Sequence, residues 1–195
     1  MVRPIQATAL LVAILAVALT ATSQERYFGK SGTTEIAGGI SFSSLTAVSH
    51  GETGDATTFL SLGPEIGYFV ADGFEIGINP GVSLLPGLSV ITPSEGDGTT
   101  ILQLFVYPAY NLHTEGSSVT PFIQVPVGYT SMSSGSTTQS GFSWGIKGGV
   151  KVVATSHLLV SIYGQYLSLT FDPENATERY GFNVISFGVG VGGFF

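Results

Sequence analysis

Apolar and polar residues alternate along most of this chain, most cleanly between Leu60 and Leu84. Leu60, Leu62, Pro64, Ile66, Tyr68 and Val70 fall on one face, with Ser61, Gly63, Glu65 and Gly67 on the other. After Ala71-Asp72-Gly73, the apolar face resumes with Phe74, Ile76, Ile78, Pro80, Val82 and Leu84. Glu75, Gly77, Asn79, Gly81 and Ser83 lie opposite. A period of two marks a strand with unlike faces, and Gly73 can supply the positive φ of a tight turn. These segments predict a hairpin with one greasy face and one polar, acidic face.

Six further segments follow the same style. Ile36 to Ser44 places Ile36, Ile40 and Phe42 on one side. Leu102 to Leu112, Pro121 to Tyr129, Phe142 to Val152 and Leu158 to Tyr166 continue the pattern. In the last, Ile185, Phe187, Val189 and Val191 alternate with Ser186, Gly188, Gly190 and Gly192 and lead to Phe195. Eight strands result, each long enough for the roughly 9–11 residues that cross a bilayer at the usual tilt. Pro64, Pro80, Pro108, Pro121 and Pro126 fall inside them. Proline cannot donate to a ladder, so kinks or bulges are predicted there.

The connections alternate in length. Ala71–Gly73, His113–Val119 and Thr155–His157 are short, whereas 47–57, 86–98, 131–140 and 172–180 are longer and rich in Gly, Ser, Thr, Asp and Glu. Membrane barrels of bacterial outer membranes have short periplasmic turns and long outer loops. An even strand number puts both barrel ends on the periplasmic side.

Composition narrows the class. Charged residues make up 10% of the chain, against roughly 25% in soluble domains. The N-terminus reads as a signal peptide over residues 1–23: Arg3, an apolar run from Ala9 to Leu19, then small residues at Ala21-Thr22-Ser23. The barrel is expected over residues 24–195. After the leader no segment approaches about 18 consecutive apolar residues, so no transmembrane helix is predicted. Of 6 Lys and Arg, Arg3 lies in the leader, leaving 5 against 13 Asp and Glu. That balance argues against nucleic acid as a partner. The chain has no cysteine, which removes disulfides and Cys-ligated metals.

These features resemble the outer-membrane β-barrel domain family, in its small eight-stranded group of OmpX-like and OmpA-type barrels. The residues that carry the resemblance are the run from Pro64 to Gly77, Thr120-Pro121-Phe122, Val127-Gly128-Tyr129 and Val189 to Phe195. The resemblance implies an all-β, eight-stranded, antiparallel up-and-down transmembrane barrel in the cell outer membrane. Its partners would be membrane lipid, lipopolysaccharide and the outer-membrane assembly machinery. That machinery reads a last strand ending in Phe, here Phe195 with Phe187, Val189 and Val191. Unlike in larger OmpA-type proteins, no periplasmic domain is expected after the barrel.

Candidate chemistry is sparse. Glu65 and Glu75 face inward on one hairpin, and Lys147 and Lys151 on another strand, so cross-lumen ion pairs are predicted. The interior is expected to hold Glu, Lys, Tyr, Gln and Ser. His50 lies in a long loop, whereas His113 and His157 lie in the opposite short turns, too far apart for a Ser–His or metal site. No catalytic, cofactor-binding or metal set is predicted. Asn175-Ala176-Thr177 is read as a chance match to a glycosylation acceptor. Glu52, Asp55, Glu95, Asp97, Asp172 and Glu174 are read as solvated loop residues. Two aromatic girdles are expected, from Tyr68, Phe74, Tyr110 and Phe195 and from Phe42, Tyr129, Phe142, Trp144 and Tyr166. The expected role is structural or adhesive, through an extracellular ligand of the loops. A narrow pore is the alternative, and a lipid A-modifying enzyme the third reading.

Overall fold

The computed structural model describes residues 28–49, 52–85, 99–112, 117–134, 137–171 and 180–195. The predicted leader, His50, His113, the 86–98 connection and Asn175-Ala176-Thr177 lie outside these. The described residues form an all-β, antiparallel structure. Its strands are β1 (Thr34–Ser49), β2 (Glu52–Ala71), β3 (Phe74–Leu85), β4 (Thr99–Asn111), β5 (Val119–Gln124), β6 (Val127–Ser134), β7 (Thr137–Val153), β8 (Leu158–Phe171) and β9 (Tyr180–Phe194). Neighbours in sequence pair with one another, except that β5 and β6 lie end to end between β4 and β7, and β9 pairs back onto β1 from Glu35↔Phe194 to Val48↔Gly181. Every strand is therefore bonded on both sides.

Nine segments stand where eight strands were predicted, because the fifth crossing is split at Val125–Pro126 into β5 and β6. The register is the same on both sides of the split: Ala109↔Gln124 and Val106↔Val127 belong to one unbroken frame. Proline chemistry explains the gap. The Val125 N–H donates to the Pro108 carbonyl (3.0 Å) and the Gly145 N–H to the Pro126 carbonyl (2.9 Å). Neither proline has an N–H with which to reciprocate. The same happens between β2 and β3, where pairing lapses over Gly63–Glu65 and Asn79–Gly81 and sets Pro64 opposite Pro80. The bulges predicted at prolines are not there. Register shifts fall instead between Thr46 and Val48 and between Phe69 and Ala71.

Two of the predicted loops are largely strand. β1 and β2 leave only residues 50 and 51 between them, and β6 and β7 only 135 and 136. Ser and Thr suit an extended backbone that is wet on both faces, so pairing continues past the apolar belt.

The outward face is apolar: Leu60, Phe187 and Phe195 are 61%, 69% and 72% exposed. Tyr68, Phe74 and Tyr110 join Phe195 on that face at the short-turn end, and Phe42, Tyr129, Phe142 and Trp144 are exposed toward the other. Tyr166 is half-buried, edge-on to Trp144 (6.4 Å, 72°), with its hydroxyl donating to Asn183 Oδ1 (3.0 Å). Gly73 has φ 75 in the β2–β3 turn. Inward glycines make room for large neighbours: a Cβ at Gly67 would overlap Glu75 Oε1, and one at Gly77 would overlap the Tyr107 ring.

Candidate functional site

The interior is stacked in layers along the barrel axis. At the short-turn end Phe28, Phe69, Val153, Leu159 and Phe194 form an apolar floor. The ring of Phe28 meets Phe69 at 5.4 Å and Phe194 at 5.2 Å, both edge-on. The charged layer lies above this floor.

Lys151, from β7, reaches Glu35 Oε2 of β1 at 2.6 Å and Glu75 Oε2 of β3 at 3.1 Å. The Glu75 carboxylate also accepts from Tyr107 Oη (3.2 Å) and Asn111 Nδ2 (3.0 Å). Four residues farther along β7, Lys147 pairs with Glu65 and stands 4.1 Å from the Tyr163 ring centroid. Glu65 also accepts from Asn79 Nδ2 (2.8 Å). That side-chain bond spans the stretch where the β2–β3 ladder lapses. The structure thus pairs the four predicted residues in two clusters, Lys151 and Glu75 with Glu35, Tyr107 and Asn111, and Lys147 and Glu65 with Asn79. Ion pairs in so enclosed a space hold when their remaining lone pairs and protons are bonded. Asn111 Oδ1 is the exception, buried with no partner.

Next comes a cavity of about 60 Å³ whose polar lining includes Ser41, Ser43, Ser61, Ser186, Gln103 and Gln165. The Ser43 and Ser186 hydroxyls, partners on the adjacent strands β1 and β9, are hydrogen-bonded at 2.8 Å on its wall. Above the cavity the interior turns apolar: Leu45, Phe59, Ile101, Phe105, Leu167, Leu169, Phe171 and Val184 pack into one cluster. The expected filling of Glu, Lys, Tyr, Gln and Ser is therefore corrected at this end, where Leu, Ile, Val and Phe take their place. In pairs such as Phe59-Leu60 and Ile101-Leu102 the first residue enters this layer and the second stands on the outward apolar face.

Sequence reasoning also missed Glu35, Tyr107, Asn111 and Phe28. Extending the β1 alternation one residue back from Ile36 would have turned Glu35 inward. His157 is exposed in its turn, its ring stacked 6.2 Å from Phe194 and 6.4 Å from Phe195, with Nδ1 3.0 Å from Ser156 Oγ. Among the described residues, no group of three or more His, Cys, Asp or Glu is placed to hold a metal ion. In the last strand Phe187 and Val191 face outward and Val189 shares their side, with Phe195 at the rim.

A ring of antiparallel strands with an apolar outer face and charged groups within is a membrane barrel. The chain matches the model of the outer membrane protein beta-barrel domain over residues 7–192 and belongs to that family, which places it in the cell outer membrane. No curated protein matches it. Among solved structures it is similar to Neisserial surface protein A, with TM-score 0.65 and 12% identity over 84% of this chain and 99% of that one. It is also similar to OprG of Pseudomonas aeruginosa, with TM-score 0.60 and 16% identity over 88% and 99%. Ail of Yersinia pestis gives TM-score 0.54 and 12% identity over 85% and 99%. At these identities the shared property is the fold.

Proposed function

We propose that this protein is a plugged outer-membrane barrel with a structural or surface-interaction role, acting through its outer hairpins on an extracellular partner. The length of the strands carries this reading. β2 has 20 residues, about twice the 9–11 that a bilayer crossing needs, and the surplus lies on the outer side with β1. Ala56, Thr57 and Thr58 are exposed there, in a paired and therefore stiff hairpin. The filled interior speaks against the narrow pore, because ion pairs and an apolar layer lie on either side of the polar cavity. A lipid-modifying activity has little to work with: Ser156 and His157 meet on an exposed turn, with no carboxylate among the described residues orienting the ring.

Lipid and lipopolysaccharide are the partners that suit the outward belt. Phe195 with Phe187, Val189 and Val191 is the segment offered to the assembly machinery. One structure of Ail is a complex with the heparin analogue sucrose octasulfate. The outer part of β2 carries Glu52 and Asp55, and the longer connections carry Glu95, Asp97, Asp172 and Glu174, so a polyanion would be repelled and the partner is neutral or basic.

The test is retention of producing bacteria on an epithelial cell monolayer, with a variant in which a two-residue turn joins Leu45 to Thr57, its partner across the β1–β2 ladder. Retention is expected to fall to the level of non-producing cells while the barrel still assembles. Retention equal to wild type would overturn the reading.

A further inference from the structure

Ahead of β1 the chain folds back beneath the barrel. We infer that Phe28–Thr33 is a displaceable stopper of the periplasmic mouth, shielding the Lys151 cluster when seated and exposing it to periplasmic water when released. What the outer hairpins bind has no bearing on this device.

The seat is specific. Phe28 is fully buried, wedged between the Phe69 and Phe194 rings, with Lys151 Nζ 5.4 Å from its centroid. Two turns shape the segment, at Gly29 with φ 81 and Gly32 with φ 91. The Gly32 N–H donates to the Phe69 carbonyl (2.8 Å) and the Gly73 N–H to the Gly29 carbonyl (2.7 Å). Asp72 serves as a latch, accepting from the Ser31 N–H (2.9 Å) and from Lys30 Nζ (3.1 Å).

The hold is nonetheless light beside that of the strands. Barrel strands are bonded on both sides along their length, whereas Lys30, Ser31 and Gly32 are exposed. Both side chains of the Lys30–Asp72 pair are more than half exposed, and such pairs contribute little. One aromatic ring carries most of the closure. Stability is not uniform across a structure, and a segment held by so few buried contacts opens before the barrel does.

The chain has no cysteine, so a single introduced thiol reports access directly. Ser161 is buried, inward-facing and paired in register with Lys151, which makes Ser161→Cys a mild reporter behind the stopper. Refolded protein in detergent micelles is treated with a cationic thiosulfonate reagent, and folding is checked by resistance to SDS. Phe28→Ala is expected to raise the labelling rate about tenfold or more, since it removes the ring that closes the mouth. Gly32→Val is expected to act likewise through the backbone alone: valine is strained at φ 91, yet a Cβ there meets nothing within 4 Å. At Ser43→Cys, above the Glu65–Lys147 pair, the rate should stay unchanged in both backgrounds. A rise below about threefold at Ser161→Cys in either folded variant, or a matching rise at Ser43→Cys, overturns the proposal.

Discussion

Replacing Lys151 by methionine probes the interior most sharply. Lys151 is 5% exposed and holds two carboxylates at once, Glu35 at 2.6 Å and Glu75 at 3.1 Å. Methionine keeps the unbranched stem and removes the charge. Glu75 retains Tyr107 and Asn111 as donors, whereas Glu35 loses the cation that the structure gives it. Two like charges then share a space floored by Phe28, Phe69 and Phe194 rings. Breaking a buried pair by removing one partner costs about 3–5 kcal/mol, and a doubly engaged lysine belongs at the upper end of that range. Lys147→Met should cost less, about 1–3 kcal/mol, because Glu65 keeps Asn79 and borders the polar cavity. Urea unfolding of refolded protein in micelles measures both, with Trp144, the single tryptophan, as fluorophore. Adding Glu35→Gln and Glu75→Gln to Lys151→Met should recover at least half of the loss, since neutral groups leave no charge stranded. A cost below about 1 kcal/mol for Lys151→Met, or no recovery in the triple variant, would refute the reasoning.

Other expectations follow from the same packing. Gly67→Ala puts a methyl group where Glu75 Oε1 lies and should cost about 1–3 kcal/mol by overpacking, read from the same urea titration. Phe105→Ala opens the outer apolar layer and should cost about 3–5 kcal/mol; a loss below 1 kcal/mol would mean that the layer is not packed. Deleting Phe195 removes the paired bonds between its backbone and Thr34 (2.9 and 3.0 Å) together with the exposed terminal ring. The amount of barrel in the outer membrane, scored by SDS-resistant mobility, should drop more than the stability of protein refolded in vitro.

The outward face was legible because lipid demands apolar residues at every second position, and Leu60 to Leu84 meets that demand without exception. The charged layer was legible in part. Glu65, Glu75, Lys147 and Lys151 fall on the inner side of cleanly alternating runs, whereas Glu35 lies one residue ahead of the run from Ile36 to Ser44 on which the β1 phase was read. The outer apolar layer was hidden for the opposite reason. Phe59, Ile101 and Phe105 stand beside outward apolar neighbours, and a run greasy on both faces does not declare which side is inner. Prolines were misread because their effect depends on what lies across the ladder. Pro64 meets Pro80 and Pro108 meets Val125, so bonds are lost in place while the register is kept. Phe28 gave no periodic signal at all, since its burial comes from two glycine turns rather than from a strand.

Ion conduction tests the plugged barrel most directly. Refolded wild-type protein is inserted into planar lipid bilayers under an applied voltage, with insertion verified by protease protection of the barrel. The account predicts a flat current, because the Lys151 and Lys147 pairs and the layer from Leu45 to Val184 lie in series across the interior. Discrete, sustained single-channel steps from the wild-type protein would contradict it.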